Sequence, residues 1–295
     1  MTPLRIGYVP EHFSTPLYFA KKHFGLDAEL IPFPSGTGHM ITAIRAGEID
    51  VSIGLTEGFI AGLGKEDAPG DGGYRIVGTY VETPLCWAIS TGAKRPEVDS
   101  VASLKGKKIG ISRIGSGSFV MGFVLADQQG WLEGGVKPYS DMVVLNTFDK
   151  LRAGVNSGEC DFFMWEHFTS KRYHDSGEIR RVGEIYTPWS SWKIVASTAL
   201  PPPEQDGRVA DMLAKLDRGV AHFNENKEEA VRYIGTELDY SEADARAWLD
   251  TVRFPAKTAA VSLDTIQSCV DALRKAGVLV KGKGMEAQQM VPTLP

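Results

Sequence analysis

The sequence has few cysteines, no excess of basic charge and no long apolar run, and each absence excludes a class of protein. The three cysteines, Cys86, Cys160 and Cys269, are odd in number and far apart, which excludes a disulfide framework and a Cys-x-x-Cys metal site. The net charge of −5 argues against a nucleic-acid-binding surface, which would be basic. No stretch approaches the roughly 20 apolar residues of a membrane helix. We therefore expect neither nucleic acid nor membrane insertion.

A secretory leader is also absent from the amino terminus. Residues 1–13, MTPLRIGYVPEHF, lack the basic segment and the apolar segment that a signal peptide shows. Instead they begin directly with the pattern of a short strand. On this ground we expect a cytoplasmic protein, or a periplasmic one if a leader was removed.

The sequence does contain a repeat: the same order of predicted strands and helices occurs twice. The first copy predicts strands at 4–9, 28–33 and 50–55, with helices at 16–25 and 40–48. The second copy predicts strands at 107–112, 141–146 and 160–165, with helices at 119–131 and 148–158. Strands that alternate with helices in this way predict an α/β fold of two similar units, each with a mostly parallel sheet flanked by helices.

A repeated phrase marks the last strand of each copy. GEIDVSIGLTEGF (47–59) and GECDFFMWEHF (158–168) both read Gly-Glu-x-Asp, then a mostly apolar run, then a glutamate before an aromatic residue. We interpret each copy as a buried strand that ends in a loop, and the loops carry Glu57 and Glu166.

The rest of the chain predicts how the two units are joined. Extended runs at 75–90 and 186–198 carry the chain between them, and amphipathic helices follow at 206–226, 227–238, 241–252 and 263–277. These helices should pack on the first unit, whose sheet has an open face to bury. We predict a discontinuous lobe one (1–86 and 192–295) and a lobe two (87–191), with the two crossover strands as a hinge.

Two glycine-rich loops follow predicted strands and run into helices: Ser35-Gly36-Thr37-Gly38 and Gly115-Ser116-Gly117-Ser118. Ligands of parallel sheets bind beyond the carboxyl ends of the strands, and free N–H groups at a helix start favour an anion. The alternative is that these serines and threonines only cap the helices. Arg113, just before the second loop, can clamp a carboxylate, sulfonate or phosphate, or it is an ordinary surface arginine.

Other candidate ligand contacts lie in the same strand-end loops or on the second crossing: Glu11, His12, Phe13, Thr56, Glu57, Trp165, Glu166 and Trp189. The tryptophans either stack on a flat ligand or pack in the core. The glutamates are expected to accept hydrogen bonds from an amine or a ring N–H. Two weaker alternatives are an acid–base pair, such as Glu57 with His12, and a metal site. The sequence contains no His-x-x-x-His pair, which argues against the metal site. We therefore expect no catalytic residue, no metal and no cofactor.

Four segments together resemble a known fold: IGYVPEHFSTPLYFAKKHFGL, FPSGTGHMITAIRAGEIDVSIG, SLKGKKIGISRIGSGSF and LRAGVNSGECDFF. They are similar to type II periplasmic-binding-protein-like chains over most of residues 4–200. Within that fold they resemble the branch of the sulfonate- and taurine-binding proteins (SsuA/TauA-like) and the NMT1/THI5-like thiamine-pyrimidine proteins. The resemblance implies ligand contacts from Ser116, Gly117 and Ser118. By the same logic it implies contacts from Glu11, His12, Ser35, Gly36, Thr37, Gly38, Thr56 and Glu57.

The resemblance also implies a function. It favours a solute-binding protein whose two lobes close on a small polar ligand, anionic or heteroaromatic, such as a sulfonate or a pyrimidine. The alternative is a cytoplasmic enzyme of thiamine-pyrimidine or related cofactor-precursor synthesis on the same scaffold. Fungal THI5-type synthases carry a cysteine-rich motif, whereas the cysteines here are scattered. The missing leader favours an intracellular member of the branch, such as a fungal protein. An ABC-transporter partner is expected only if a leader was removed.

Overall fold

The structure, a computed structural model, describes residues 2–68, 70–133 and 137–292. The chain divides into two compact units. Unit one comprises Met1–Thr83 and Trp189–Pro295, and unit two comprises Pro84–Pro188. The chain therefore leaves unit one once and returns to it once.

The secondary structure of the described residues alternates as the sequence predicts. The strands are β1 (Leu4–Tyr8), β2 (Ala28–Pro32), β3 (Val51–Leu55), β4 (Tyr74–Val81), β5 (Cys86–Gly92), β6 (Lys108–Ile111), β7 (Asp141–Val144), β8 (Phe162–Glu166), β9 (Ile179–Tyr186) and β10 (Trp192–Ser197). The helices are α1 (Thr15–Phe24), α2 (Thr37–Arg45), α3 (Thr56–Gly64), α4 (Gly117–Gln128), α5 (Phe148–Ser157), α6 (His167–Asp175), α7 (Arg208–Glu225), α8 (Lys227–Glu237), α9 (Glu242–Leu249) and α10 (Leu263–Lys275).

The two units have matching five-stranded sheets. The order is β2-β1-β3-β10-β4 in unit one and β7-β6-β8-β5-β9 in unit two. In unit one β1 is parallel to β2 and β3, whereas β10 is antiparallel to β3 and β4. In unit two β6 is parallel to β7 and β8, whereas β5 is antiparallel to β8 and β9. Four strands of each sheet thus run one way and one runs the other, which confirms the predicted fold class of two mostly parallel sheets flanked by helices.

The repeated Gly-Glu-x-Asp phrase has the same structural role in both units. Asp50 accepts a hydrogen bond from the backbone N–H of Arg5 at 2.8 Å and forms an ion pair with its guanidinium at 2.7 Å. Asp161 accepts a hydrogen bond from the backbone N–H of Lys108 at 2.7 Å and forms an ion pair with Arg95. Each aspartate therefore ties the start of a buried strand to the start of its parallel neighbour.

The prediction of a loop after strand β3 and after strand β8 is wrong. Residues 56–59 and 166–168 do not form loops, because α3 begins at Thr56 and α6 begins at His167 directly after the strands. Helix α3 is buried on most sides, so it lacks the polar face that makes a helix recognisable in a sequence. Its glycines also suggested a turn, yet they allow close packing: a Cβ at Gly58 would lie 2.8 Å from Cγ2 of Thr37.

The extended runs also differ from the prediction. Residues 75–90 form two strands, β4 and β5, with a break between them. Strand β9 was not predicted, because its burial alternates irregularly along IRRVGEIY and three of its residues are charged. It lies at the edge of the second sheet, paired only with β5 among the described strands.

The helices that follow β10 pack in unit one, as expected. Helix α7 lies so close to α1 that a Cβ at Gly219 would clash with the backbone oxygen of Pro16. Trp248 of α9 contacts Phe223 and Phe254 edge-on, with ring centroids 5.8 and 6.3 Å away. These contacts bury apolar residues of α7 and α9 within unit one, against α1 and against each other.

Within the described part of the chain, no helix combines the length and the apolar character that crossing a membrane requires.

Candidate ligand-binding site

The carboxyl ends of the parallel strands of unit one share one edge of its sheet. Strand β10 runs the other way, and its first residue, Trp192, is paired with Leu55 at the end of β3. The segment that precedes β10 therefore lies at the same edge as the start of α3. This topology brings Trp189, far along the chain, to Glu57.

Glu57 is a fully buried carboxyl in the first turn of α3. The indole Nε1 of Trp189 donates a hydrogen bond to its Oε2 at 3.0 Å. Its other oxygen, Oε1, is buried without a hydrogen-bond partner among the described residues. Burial raises the pKa of Glu57 to about 7, although hydrogen bonds from the backbone and from Trp189 lower it. A buried polar atom without a partner costs free energy, so a hydrogen-bond donor that reached Oε1 would stabilise it.

The threonine hydroxyls next to Glu57 are used within the protein. Thr56 donates to the backbone oxygen of Ser190 at 2.6 Å, and Thr37 accepts from the backbone N–H of Leu55 at 2.9 Å. Both threonines are buried. They fix the start of α3 to its neighbours, so the structure brings Thr37, Thr56, Glu57 and Trp189 together.

The rest of the first glycine-rich loop lies at the start of α2. Ser35 is exposed, and Gly36 and Gly38 are half-buried. Gly36 precedes the helix with a φ of 76°, a left-handed conformation that favours glycine. No side chain caps this helix start, so its first N–H groups lack the partners that a capping residue supplies.

His12 and Phe13 lie in an aromatic cluster of unit one. The ring of His12 is 4.5 Å from the ring of Tyr240 and 4.4 Å from that of Trp248, and Phe13 stacks on Trp192 at 5.1 Å. Burial holds the pKa of His12 well below its usual range. Glu11, which is half-buried, directly precedes His12. The structure gives no hydrogen bond between His12 and Glu57.

In unit two the serines of the second glycine-rich loop hold the start of α4. Oγ of Ser116 accepts a hydrogen bond from the backbone N–H of Phe119 at 3.3 Å and lies 2.9 Å from Oγ of Ser118. The hydroxyl of Ser118 in turn accepts from the backbone N–H of Ser112 at 3.2 Å. The capping role considered for Ser116 is therefore present, and Gly117 is the buried first residue of the helix.

Arg113 lies three residues before this cap and is half-buried. Within the described residues, its guanidinium has neither a hydrogen-bond partner nor an ion-pair partner. Burial lowers the pKa of Arg113 below its ordinary value, because removal from water disfavours the charged form. The group nevertheless stays charged at neutral pH, so a partly desolvated cation without a counter-charge stands beside a helix start.

Trp165 and Glu166 end strand β8. The ring of Trp165 stacks on that of Phe148, with centroids 4.9 Å apart and 17° between planes. Glu166 caps α6 and accepts from the backbone N–H of Thr169 at 2.6 Å. Burial raises the pKa of Glu166 to about 7 against the effect of these backbone hydrogen bonds. Glu166 is thus a helix cap, whereas Glu57 lies inside its helix.

Two polar residues near Glu57 did not figure among the predicted site residues. Lys193 of β10 is buried, and its ammonium donates to the hydroxyls of Thr79 at 2.9 Å and Ser190 at 2.8 Å. Burial lowers the pKa of Lys193 to about 8, partly opposed by Cys269 and Glu82. Burial also raises the pKa of the Cys269 thiol well above its usual range, with the charge of Glu57 adding to the effect. The signal for Lys193 in the sequence was a lysine inside the apolar run WKIVAS.

Among the residues that the structure describes, two groups of side chains have the ligand atoms of a metal site within 4.8 Å of one another: His23, His222 and Glu229 in unit one, and Cys86, His167 and Glu184 in unit two. In the second group, Glu184 is already engaged by Arg181 and by the hydroxyl of Tyr186. Neither group was predicted from the sequence.

The fold and these strand-end sites define a type II periplasmic-binding-protein-like chain. A family model described as Ca3427-like PBP matches residues 87–185. The CA3427 gene product of Candida albicans, which defines a family with the generic periplasmic binding protein fold, is 39% identical with a TM-score of 0.85. That match covers 96% of this chain and 92% of the other. The chain therefore belongs to the family that the Candida protein defines.

More distant structures share the fold. The periplasmic aliphatic sulphonate binding protein SsuA of Escherichia coli is 19% identical with a TM-score of 0.74, over 99% of this chain and 92% of that one. The alkanesulfonate-binding protein SsuA of Xanthomonas axonopodis pv. citri, bound to MOPS, is 18% identical with a TM-score of 0.74, over 95% of each chain. These neighbours confirm the predicted fold. No functionally curated protein matches the chain.

Proposed function

We propose that this protein binds a small molecule that carries an anionic group and an N–H donor. The observation that carries the proposal is the half-buried guanidinium of Arg113, which lies beside the start of α4 and has no partner within residues 2–68, 70–133 and 137–292. Such a cation favours a carboxylate, sulfonate or phosphate, which it can bind through two parallel hydrogen bonds. The positive end of the α4 dipole adds to the attraction.

The second half of the proposal comes from Glu57 in unit one. Its Oε1 is a buried acceptor to which no described residue donates, while Trp189 holds the other oxygen in place. A protonated amine or a ring N–H of the ligand would satisfy that oxygen and favour the ionised carboxylate. An amino sulfonate or an aminopyrimidine with an acidic substituent combines both groups.

The structural neighbours support the anionic half. The SsuA proteins of Escherichia coli and Xanthomonas are described as binding aliphatic sulfonates, and the latter holds MOPS. Sulfonates therefore come first among the ligands to be tested. Closure of two lobes on the ligand and an ABC-transporter partner stay predictions from the sequence.

A thermal-shift screen tests the proposal. The full chain is heated with taurine, MOPS, alkanesulfonates without an amine, dicarboxylates and aminopyrimidines, each at millimolar concentration. A ligand present at 100 times its dissociation constant stabilises the folded state by about 2.7 kcal/mol, which is a readily measured shift. We expect the amine-bearing sulfonates to raise the melting temperature more than the plain ones. If no compound of any class shifts it, the proposal is wrong.

The enzymatic alternative, a role in pyrimidine precursor synthesis, makes a different prediction. It requires that a small molecule or the protein itself changes mass after incubation with pyridoxal phosphate and iron. Mass spectrometry of both components distinguishes it from binding alone, for which both masses stay the same.

A further inference from the structure

Three side chains from three helices converge on the surface of unit one, away from the strand-end loops. His23 is in the last turn of α1, His222 in the last turn of α7, and Glu229 in the first turn of α8. Nε2 of His23 lies 2.9 Å from Oε1 of Glu229, and Nε2 of His222 lies 2.7 Å from Oε2. Both imidazoles therefore direct the same nitrogen toward one carboxylate.

The scaffold holds these side chains in place. The ring centroids of His23 and His222 are 4.3 Å apart, and Phe19 packs edge-on against His222 at 5.0 Å. Tyr18 of α1 stacks on Tyr233 of α8 at 4.0 Å, with 11° between the ring planes. The three helices are thus fixed to one another by ring contacts around the cluster, and the ligands need little ordering to bind an ion.

The spacing is close to that of a metal site. Zinc binds histidine nitrogen and carboxylate oxygen at about 2.0–2.1 Å in tetrahedral geometry, which places ligand atoms about 3.3 Å apart. The nitrogen–oxygen separations of 2.9 and 2.7 Å are about half an ångström shorter than that spacing. Small rotations of the half-exposed side chains would open this space, and a fourth position stays open to water.

A cation already occupies the outer side of the carboxylate. The ammonium of Lys22 lies 2.8 Å from Oε1 of Glu229, and 45% of its side chain is exposed. Burial raises the pKa of Glu229, but hydrogen bonds from Lys22, His222 and His23 outweigh it and lower the pKa to about 2. Glu229 is therefore ionised at all ordinary pH values, and Lys22 can move into solvent when a stronger cation arrives.

The outer contacts of His222 hold the ring in place without a metal. Its Nδ1 lies 3.3 Å from the side-chain amide of Asn226. A metal on Nε2 requires a proton on Nδ1, which then needs an acceptor. The Asn226 amide also donates to the backbone oxygen of His222 at 3.0 Å, which fixes its orientation, so water has to accept the proton of Nδ1 when a metal binds.

We propose that His23, His222 and Glu229 form a binding site for a divalent transition-metal ion, Zn²⁺ in particular, that joins α1, α7 and α8. The donor set of two imidazoles and one carboxylate suits zinc among the divalent ions. The site is separate from the ligand-binding site and does not depend on the proposed function.

The test uses the full chain, treated with a chelator and then titrated with zinc sulfate by calorimetry. We expect one equivalent to bind and to raise the melting temperature, since an ion that binds the folded state stabilises it. His23→Gln and His222→Gln should each weaken binding by more than about ten-fold, because even an outer-shell partner is typically worth ten- to hundred-fold. His39→Gln, which removes an exposed histidine of α2, is the matched control and should leave the affinity unchanged.

Lys22→Gln keeps the proposal testable even if a histidine variant folds poorly. Removal of the competing ammonium should tighten zinc binding, whereas a structural ion-pair cluster without a metal site would gain no affinity. Titration with Co²⁺ should give the intense visible absorption of a tetrahedral complex. The proposal is overturned if the wild type binds no zinc at roughly 100 micromolar, a concentration about a hundred times the dissociation constant of a micromolar site. Equal zinc binding by all variants would overturn it too. Loss of binding on Cys86→Ser would place the metal in unit two and overturn it as well.

Discussion

The indole of Trp189 donates a hydrogen bond to Oε2 of Glu57 at 3.0 Å, while Oε1 has no partner in the part of the chain that the structure describes. The two residues lie 132 positions apart in the chain. They meet because β10 runs antiparallel to β3, so the residues before β10 reach the carboxyl end of β3. The protein thus fixes one oxygen of the glutamate, and our proposal assigns the other to the N–H donor of a ligand.

Glu57→Gln should weaken the binding of a ligand with an N–H donor. The substitution keeps the shape of the side chain and an oxygen for Trp189, but it removes the charge. A hydrogen bond to a charged group is worth about 1.5–3 kcal/mol, so we expect a loss of roughly ten- to hundred-fold in affinity. Calorimetry with the ligand found in the screen measures the change. Glu48→Gln, an exposed glutamate of unit one, is the control and should bind as the wild type does.

The same substitution should change how stability depends on pH. The pKa of Glu57 is about 7 in the folded protein, against about 4.3 in an unfolded chain. Between these values the folded state binds more protons, so the free energy of unfolding falls as pH rises, by about 4 kcal/mol for this group. Glu166 has a pKa raised to about 7 as well, so the wild type contains two such groups.

Urea unfolding at pH 5, 6, 7 and 8 measures this dependence. The buried His12 and His174, whose pKa values are lowered, act in the opposite sense in both proteins, so the comparison uses the difference between variant and wild type. That difference in unfolding free energy should shift in favour of Glu57→Gln as pH rises from 5 to 8, because the variant lacks the contribution of Glu57. Above pH 7 the variant should be the more stable protein. An unchanged slope would mean that Glu57 is ionised throughout and that its environment in solution is not the buried one described.

Arg113→Gln should weaken the binding of anionic ligands and leave neutral ones unaffected. The loss of a charge-assisted contact predicts a decrease in affinity of roughly ten-fold or more. Stability should change little, because the guanidinium has no partner among the described residues. The measurement compares a sulfonate with an uncharged analogue by calorimetry.

Lys94→Gln is the matched control for Arg113, since it removes the same charge from an exposed position of unit two. A long-range electrostatic effect would lower the affinity equally in both variants and would vanish at high salt. A direct contact lowers it only in Arg113→Gln. Equal losses would therefore contradict the assignment of Arg113.

Much of the fold could be predicted because local patterns encode it. The two series of strands and helices end with the same Gly-Glu-x-Asp phrase, and Asp50 and Asp161 indeed make equivalent bonds to the starts of β1 and β6. The glutamates that follow each phrase, Glu57 and Glu166, are not equivalent, however. Glu57 follows Asp50 by seven residues and Glu166 follows Asp161 by five, so one lies inside a helix and the other caps one.

The site could be predicted only in part, because contacts distant in the chain decide it. The strand-end rule selects Glu57 and Arg113. No local pattern shows that Trp189 holds Glu57, or that no described residue pairs with the guanidinium of Arg113. Lys193 and Cys269 come close to Glu57 only through the packing of β10 and α10 against α3. The helix α3 itself escaped prediction, because a helix buried on most sides has no amphipathic period.

Asp50→Asn should mainly reduce stability. The carboxylate binds both the backbone and the guanidinium of Arg5, and loss of charged hydrogen bonds costs about 1.5–3 kcal/mol. Burial raises the pKa of Asp50, but the bonds from Arg5 outweigh it and lower the pKa overall. The stabilising effect is therefore present above the unfolded pKa of about 3.9 and disappears as pH falls through the lower folded value.

Urea unfolding at pH 7 and pH 3 checks this result for both units. Asp161→Asn should behave as Asp50→Asn does, because Asp161 makes the equivalent bond to Lys108. Glu48→Gln and the exposed Glu159→Gln, two residues before each aspartate, should change stability little. If the glutamate variants lose as much as the aspartate variants, the shared phrase has a different role.

Lys193→Met should remove a rise in stability that the wild type shows at alkaline pH. Burial lowers the pKa of Lys193 to about 8 in the folded protein, against about 10.4 when unfolded. Between these values the unfolded chain binds more protons, so the free energy of unfolding rises with pH, by about 3 kcal/mol in total. Methionine cannot titrate, so the difference in stability between the two proteins should shift in favour of the wild type from pH 7.5 to pH 10.

At pH 7.5 the variant should be as stable as the wild type or more so, since an apolar side chain in place of a buried charge is often neutral or stabilising. Lys281→Met, which changes an exposed lysine, is the control, and its stability should follow that of the wild type at every pH. If the difference in stability between the wild type and Lys193→Met does not vary with pH, Lys193 keeps its proton in the folded protein and the prediction is wrong.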